Sequence, residues 1–159
     1  MAEAFSHMRK DGSVTMVDVG HKQENMRVAV AGAVVEMNAV TLDLLKRVAL
    51  PKGDVLTTAK IAGIMAAKRT SELIPMCHPL MLDYVDIRFE IHDAPPHIQL
   101  EAEVRCTGRT GVEMEALVAA QMAAAAIYDM CKAAQKDIRI TNVRLLRKSG
   151  GKSGEFLAQ

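Results

Sequence analysis

Three observations predict an α+β domain of the ferredoxin-like class, an antiparallel sheet with helices packed on one face. Apolar residues alternate with polar ones in runs that suit strands, capped helical patterns follow the first run, and a long apolar helix separates the third run from the last. The order strand, helices, strand, strand, helix, strand is that of a split βαββαβ unit.

The elements follow in order. Met26 to Met37, MRVAVAGAVVEM, is β-branched and roughly alternating, with Gly32 as a bulge position. Asn38 caps a short helix over VTLDLLKRV. After the loop Pro51-Lys52-Gly53, Asp54 caps a second helix, VLTTAKIAGIMAAKRTSEL, which must end before Pro75. Lys68 and Arg69 then fall in its last turn, where basic residues suit the helix dipole. In DYVDIRFEIHD, Val85, Ile87, Phe89 and Ile91 face one way and Asp86, Arg88, Glu90 and His92 the other. The turn Ala94-Pro95-Pro96 leads into HIQLEAEVRC, completing a hairpin. Gly111 to Lys136 is the long apolar helix, and DIRITNVRLL is the last strand. One domain over 1–159 results, with about 1–20 as a flexible or partner-dependent arm and about 148–159 as a flexible tail.

Composition narrows the function classes. Twenty basic residues stand against nineteen acidic ones, so no global field argues for a nucleic-acid or membrane partner. With no Trp, two Tyr and three Phe, stacking on single-stranded nucleic acid is poorly supported. The longest apolar stretch is interrupted by Gln121 and falls short of a membrane span. Cys77, Cys106 and Cys131 leave an odd thiol and form no CxxC, and the first residues lack a signal peptide's apolar core, so a reducing cytoplasm is expected.

The chemistry concentrates on the long helix, where Glu113 and Glu115 open an apolar segment and Asp129 and Lys132 close it. Charges in so apolar a context cost free energy unless paired or used. Dipole stabilisation would account for the two glutamates and an i, i+3 ion pair for the other two, but their joint placement favours function. Glu115 and Asp129 lie roughly 21 Å apart on one straight helix, so they cannot grip one small group. Antiparallel pairing with the same helix of a second copy would bring one end to the other, giving a site shared between subunits.

Other segments add to the inventory. IPMCHPL holds Cys77 and His78 between two prolines, in an extended loop able to offer backbone groups to a purine-like base, with His78 as proton donor or acceptor. No further ligands at metal spacing accompany it, and no metal site is expected. LLRKSGGKSG presents Arg147, Lys148 and Lys152 among glycines suited to phosphate oxygens. Leu146 stands where a P-loop needs glycine, and too few residues follow Lys152 for a phosphate-cradling helix. Lys52 sits in a tight loop, where it could meet phosphate or, if desolvated, act as a base. His7, His21, His92 and His97 receive no role.

KGDV at 52–55, LIPMCHPL at 73–80, TGVEMEAL at 110–117, YDMCK at 128–132 and LLRKSGGKSG at 145–154 together resemble the cyclic pyranopterin monophosphate synthase family of molybdenum cofactor biosynthesis, MoaC, from about Met16 to Phe156. The resemblance implies a lyase converting 3′,8-cyclo-7,8-dihydroguanosine 5′-triphosphate to cyclic pyranopterin monophosphate with loss of pyrophosphate. It also implies a homohexamer, a trimer of dimers with interface sites. Asp129, Lys132 and Lys52 match catalytic positions. Met76, Cys77, His78, Glu113, Met114 and Glu115 match substrate-binding ones, and Lys148 and Lys152 match triphosphate contacts. No cofactor is required, with Mg²⁺ an optional companion of the triphosphate. The alternative from another class is a non-catalytic nucleotide-binding module of the same fold, and a third reading is a hydrolase of ordinary nucleotides.

Overall fold

The computed structural model describes residues 11–152 and 154–159. The elements are β1 (Asn25–Glu36), α1 (Ala39–Lys46), α2 (Val55–Ala67), α3 (Thr70–Leu73), β2 (Tyr84–Asp93), β3 (Pro96–Gly108), α4 (Glu113–Cys131), β4 (Arg139–Ser149) and β5 (Phe156–Leu157). One sheet has the order β2-β3-β1-β4-β5. Because β3 runs antiparallel to both β1 and β2, those two are parallel with β3 between them, which is the split βαβ arrangement the sequence predicts.

The predicted caps form. Asn38 accepts from the Thr41 N–H at 2.8 Å, and Asp54 from the Thr57 N–H at 3.0 Å and the Thr57 hydroxyl at 2.6 Å. The helix expected over 55–73 is instead two pieces. Buried Thr70 turns its hydroxyl back onto the Ala67 carbonyl at 3.0 Å, so α2 stops at Ala67 and the single turn α3 follows. Lys68 is therefore the C-cap of α2 and Arg69 the link to α3, rather than members of one last turn.

Ala29, Ala31, Ala33 and Val35 of β1 and Ile98, Leu100, Ala102 and Val104 of β3 face the helices, where Ile127 and Ala116, Ala119, Ala120, Ala123 and Ala124 of α4 complete a buried core. Small residues let α2 and α4 approach closely. A Cβ on Gly63 would lie 2.9 Å from the Ala119 carbonyl and run into Ile87. The bulge expected at Gly32 lies on the strand opposite: β4 carries extra residues between its pairings with Val30 and Ala31 and with Gly32 and Val34. There the Leu146 side chain lies over Gly32, where a Cβ would be 2.9 Å from its Cδ1.

Of the tail expected over about 148–159, Ser153 lies outside the described residues. Lys148 and Ser149 end β4 opposite Ala29 and Val28, and β5 pairs with Arg147 and Lys148. Of the arm expected over 1–20, the first ten residues lie outside the described ones. Among the described residues no helix is long and apolar enough to cross a membrane.

Candidate active site

The predicted residues form two clusters at opposite ends of α4. At its C-terminal end Asp129 stands between two lysines, with Oδ2 at 2.5 Å from Lys52 Nζ and Oδ1 at 2.7 Å from Lys132 Nζ. Local structure explains the meeting. Gly53 takes φ +86 and turns the chain from Lys52 into the Asp54 cap of α2, while Lys132 is the C-cap of α4, three residues after Asp129. A carboxylate near a helix C-terminus is disfavoured by the dipole, so this one depends on its cations.

The hydrogen bond from Lys132, and next that from Lys52, hold the Asp129 carboxyl down at about 2. Lys132 is in turn pushed up by the same bond. Asp129 is thus ionised and Lys132 protonated near neutral pH, and all three side chains are about half exposed, open to a ligand. Lys52, which can meet phosphate or, once desolvated, act as a base, lies half exposed and ion-paired.

At the N-terminal end, Met76, Cys77 and His78 meet Glu113, Met114 and Glu115 around a cavity of about 340 Å³ that Val17, Val19 and Lys22 also line. One ring nitrogen of His78, Nε2, lies 2.9 Å from the Val17 carbonyl, so the segment before β1 lies against this loop. Glu115 is buried, 4% exposed, with its carboxyl pushed up by burial and by the neighbouring Glu113 charge. Burial and then the Glu115 charge raise the Cys77 thiol as well. This wall therefore presents a neutral thiol and a carboxyl inclined to keep its proton.

A second cavity of about 540 Å³ adjoins the first, sharing Lys22, Thr110, Gly111 and Glu113 with it. Lys148 and Lys152 line it, and Lys148 Nζ lies 3.6 Å from Glu113. Three further cationic side chains line this cavity, Lys22, Arg27 and Arg109. None of the three belongs to a motif that singles it out in the sequence. One signal was present: Arg27 shares the strand phase of Ala29, Ala31 and Ala33, an arginine on the core-facing side of β1.

One cluster can exchange protons, and the other can enclose an aromatic ring beside a basic, polyanion-sized cavity. An α+β ligand-binding domain of the ferredoxin-like type with acid-base side chains is the class these features define. Comparison with known proteins narrows it. The MoaC family model matches residues 16–151. The chain is 73% identical over 156 residues to the cyclic pyranopterin monophosphate synthase of Nitratidesulfovibrio vulgaris, covering 98% of this chain and 97% of that protein. It is 68% identical over 158 residues to the synthase of the same name from Desulfovibrio desulfuricans, covering 99% and 97%. With that of Oleidesulfovibrio alaskensis it shares 65% over 158 residues, 99% of each chain. The chain belongs to the MoaC family.

Proposed function

We propose that the chain is a lyase of molybdenum cofactor biosynthesis that converts 3′,8-cyclo-7,8-dihydroguanosine 5′-triphosphate into cyclic pyranopterin monophosphate and pyrophosphate. The observation that carries this reading is the Lys52–Asp129–Lys132 cluster, in a chain matched over nearly its whole length by relatives bearing that synthase's name. Rearranging a reduced purine requires protons to move on and off nitrogen and hydroxyl groups. Protonated Lys132 is suited to donate. Asp129, held ionised by two cations, becomes an effective base once a substrate group takes over one of its ammonium partners.

In the phosphate step a sugar hydroxyl attacks the α-phosphorus. The new O–P bond forms as the bond to the β-phosphate oxygen breaks, the hydroxyl proton passes to a base, and pyrophosphate leaves. Cations of the larger cavity, Lys148 and Lys152 among them, offset the charge of the departing group. Met76, Cys77, His78, Met114 and Glu115 would enclose the ring system. Mg²⁺ is an optional companion of the triphosphate, and no other cofactor enters the proposal.

Because the two clusters lie roughly 21 Å apart along α4, each complete site would use α4 from one copy and the loop and glutamates of another. Exposed Ile61, Met65 and Met122 on the helical layer support such pairing. The assembly proposed is a homohexamer, a trimer of dimers, in the cytoplasm.

The test follows both products after incubation with the cyclic nucleotide. Pyrophosphate and pterin in equal amounts support the lyase, while binding without conversion would make the chain a nucleotide-binding module. Asp129→Asn is expected to lower turnover about 10²- to 10⁴-fold with assembly intact, and near-normal turnover overturns the role given to Asp129.

A further inference from the structure

The cavity of about 340 Å³ has one imidazole in its wall, and one nitrogen of that ring is already committed. His78 Nε2 lies 2.9 Å from the carbonyl of Val17, sixty-one positions earlier in the chain. A carbonyl oxygen only accepts, so Nε2 carries the hydrogen of this bond. In the neutral ring Nδ1 is then left with its lone pair, and it has no partner among the described residues.

Local structure holds both sides of the bond. Over 15–20 the chain alternates: Thr15, Val17 and Val19 are half-buried, and Met16, Asp18 and Gly20 are exposed, as an extended segment laid along a surface requires. A turn follows at once. Asp18 Oδ1 accepts from the Gly20 N–H at 2.8 Å, and the Val19 carbonyl accepts from the Lys22 N–H at 3.0 Å, which anchors the chain directly after the Val17 carbonyl. On the other side the Cys77 N–H closes a turn onto the Ile74 carbonyl at 3.1 Å, and Pro79 keeps His78 extended. Two constrained backbones thus meet at one ring nitrogen.

We propose that Val17 is a positioning residue of this cavity: its carbonyl locks His78 as the Nε2–H tautomer and so makes Nδ1 a hydrogen-bond acceptor for the substrate. The neighbouring groups complement it. Cys77 is a neutral thiol and Glu115 a carboxyl inclined to keep its proton, so each can donate where His78 accepts. A reduced guanine, which carries ring N–H groups beside a carbonyl oxygen, offers partners to both kinds. The proposal rests on the lyase reading for its substrate, and it adds the segment before β1 to the groups that set the hydrogen bonds of the ring.

The test labels the histidines of the full chain with ¹⁵N and reads the two-bond nitrogen–proton correlations of the neutral His78 ring, assigned by their loss in His78→Gln. The Nε2–H pattern is expected, and the Nδ1–H pattern or an equal mixture overturns the proposal. An ester in place of the peptide bond between Val17 and Asp18 weakens that carbonyl as an acceptor and leaves every side chain as it is. It is expected to increase the share of the Nδ1–H form and to raise KM for the cyclic nucleotide about two- to tenfold with little change in kcat, the worth of one hydrogen bond. An unchanged tautomer in the ester chain, or a changed tautomer with an unchanged KM, overturns the positioning role. Turnover by a native chain whose His78 is the Nδ1–H form would sink this inference and leave the lyase reading standing. A locked Nε2–H form in a native chain that binds the cyclic nucleotide without converting it would do the reverse.

Discussion

Glu103 and Glu115 are the two buried glutamates of the described chain, 5% and 4% exposed, and they titrate in opposite directions. Glu103 lies on β3, on the sheet face away from the helices, where Arg105 reaches it at 2.6 Å and Arg88 at 3.0 Å. Burial opposes its ionisation, but the hydrogen bonds from Arg105 and Arg88 outweigh that and hold the carboxyl below the ordinary range. Arg105 also stacks over the Tyr84 ring at 4.6 Å, which fixes one arm of the clamp. Glu115 has burial without a cation and a second carboxylate nearby, so its proton is held more tightly. Equal burial thus accompanies two different jobs. A charge the fold pairs serves the fold, whereas one it leaves unpaired beside a cavity is available to a ligand.

Substitution by glutamine separates the two. Glu115→Gln is expected to cost turnover about tenfold to a hundredfold, the worth of one hydrogen bond involving a charged group, with little loss of stability because burial works against the charge of the native carboxyl. The sign of the pH dependence follows. With the folded value raised above the ordinary 4.5, the contribution of Glu115 to stability is present below the unfolded value and is lost as pH rises through the folded one. Denaturation midpoints measured across that range should show the loss in the native chain and not in Glu115→Gln. A Glu115→Gln protein with unchanged turnover would place Glu115 with the structural carboxylates.

Glu103→Gln should do the opposite, leaving turnover per folded molecule intact while lowering stability by about 1–3 kcal/mol. The lower end applies, because Arg88 and Arg105 are each about half exposed and solvent screens them. Here the folded value lies below 4.5, so the stabilisation is present above the unfolded value and is lost as pH falls through the folded one. Urea midpoints for native and Glu103→Gln chains should converge in acid. Constant separation down to low pH would show that the clamp contributes through packing rather than charge.

The sequence makes one of these carboxylates visible and hides the other. Glu115 stands out because it interrupts an apolar helix, as Asp129 does, and the strand alternation and Asn38 and Asp54 caps made the split sheet and its helices equally readable. Glu103 sits in the polar phase of β3 between Glu101 and Arg105, where alternation predicts solvent. Its burial comes from side chains that converge only after β2 and β3 pair. Arg27 lay in the apolar phase of β1 and was legible in principle, but the carbonyls that hold it, from Gly108 and Arg109, are more than eighty residues away in sequence. The stop of α2 at Ala67 depends on Thr70 burying its hydroxyl against that helix, a tertiary event that helix propensity does not encode. The two ends of α4 were likewise readable as residue types, but which side chains join each end was not, since Lys52 reaches Asp129 across seventy-seven positions.

The smallest effect is a coupling within the cavity. The Glu115 charge contributes to raising the Cys77 thiol, while Cys106 and Cys131 are sealed in the core at 1% and 0% exposure. Alkylation of the folded chain by iodoacetamide therefore reports on Cys77. Removing the charge in Glu115→Gln should lower the thiol's value and speed alkylation by less than about tenfold at mildly alkaline pH, burial still holding the thiolate back. Unchanged or slower alkylation would mean that Glu115 is neutral in that range or screened from Cys77. The contrast with Glu103 would then rest on hydrogen bonding alone, because a carboxyl that carries no charge at working pH can bind a ring through its O–H but cannot tune its neighbour.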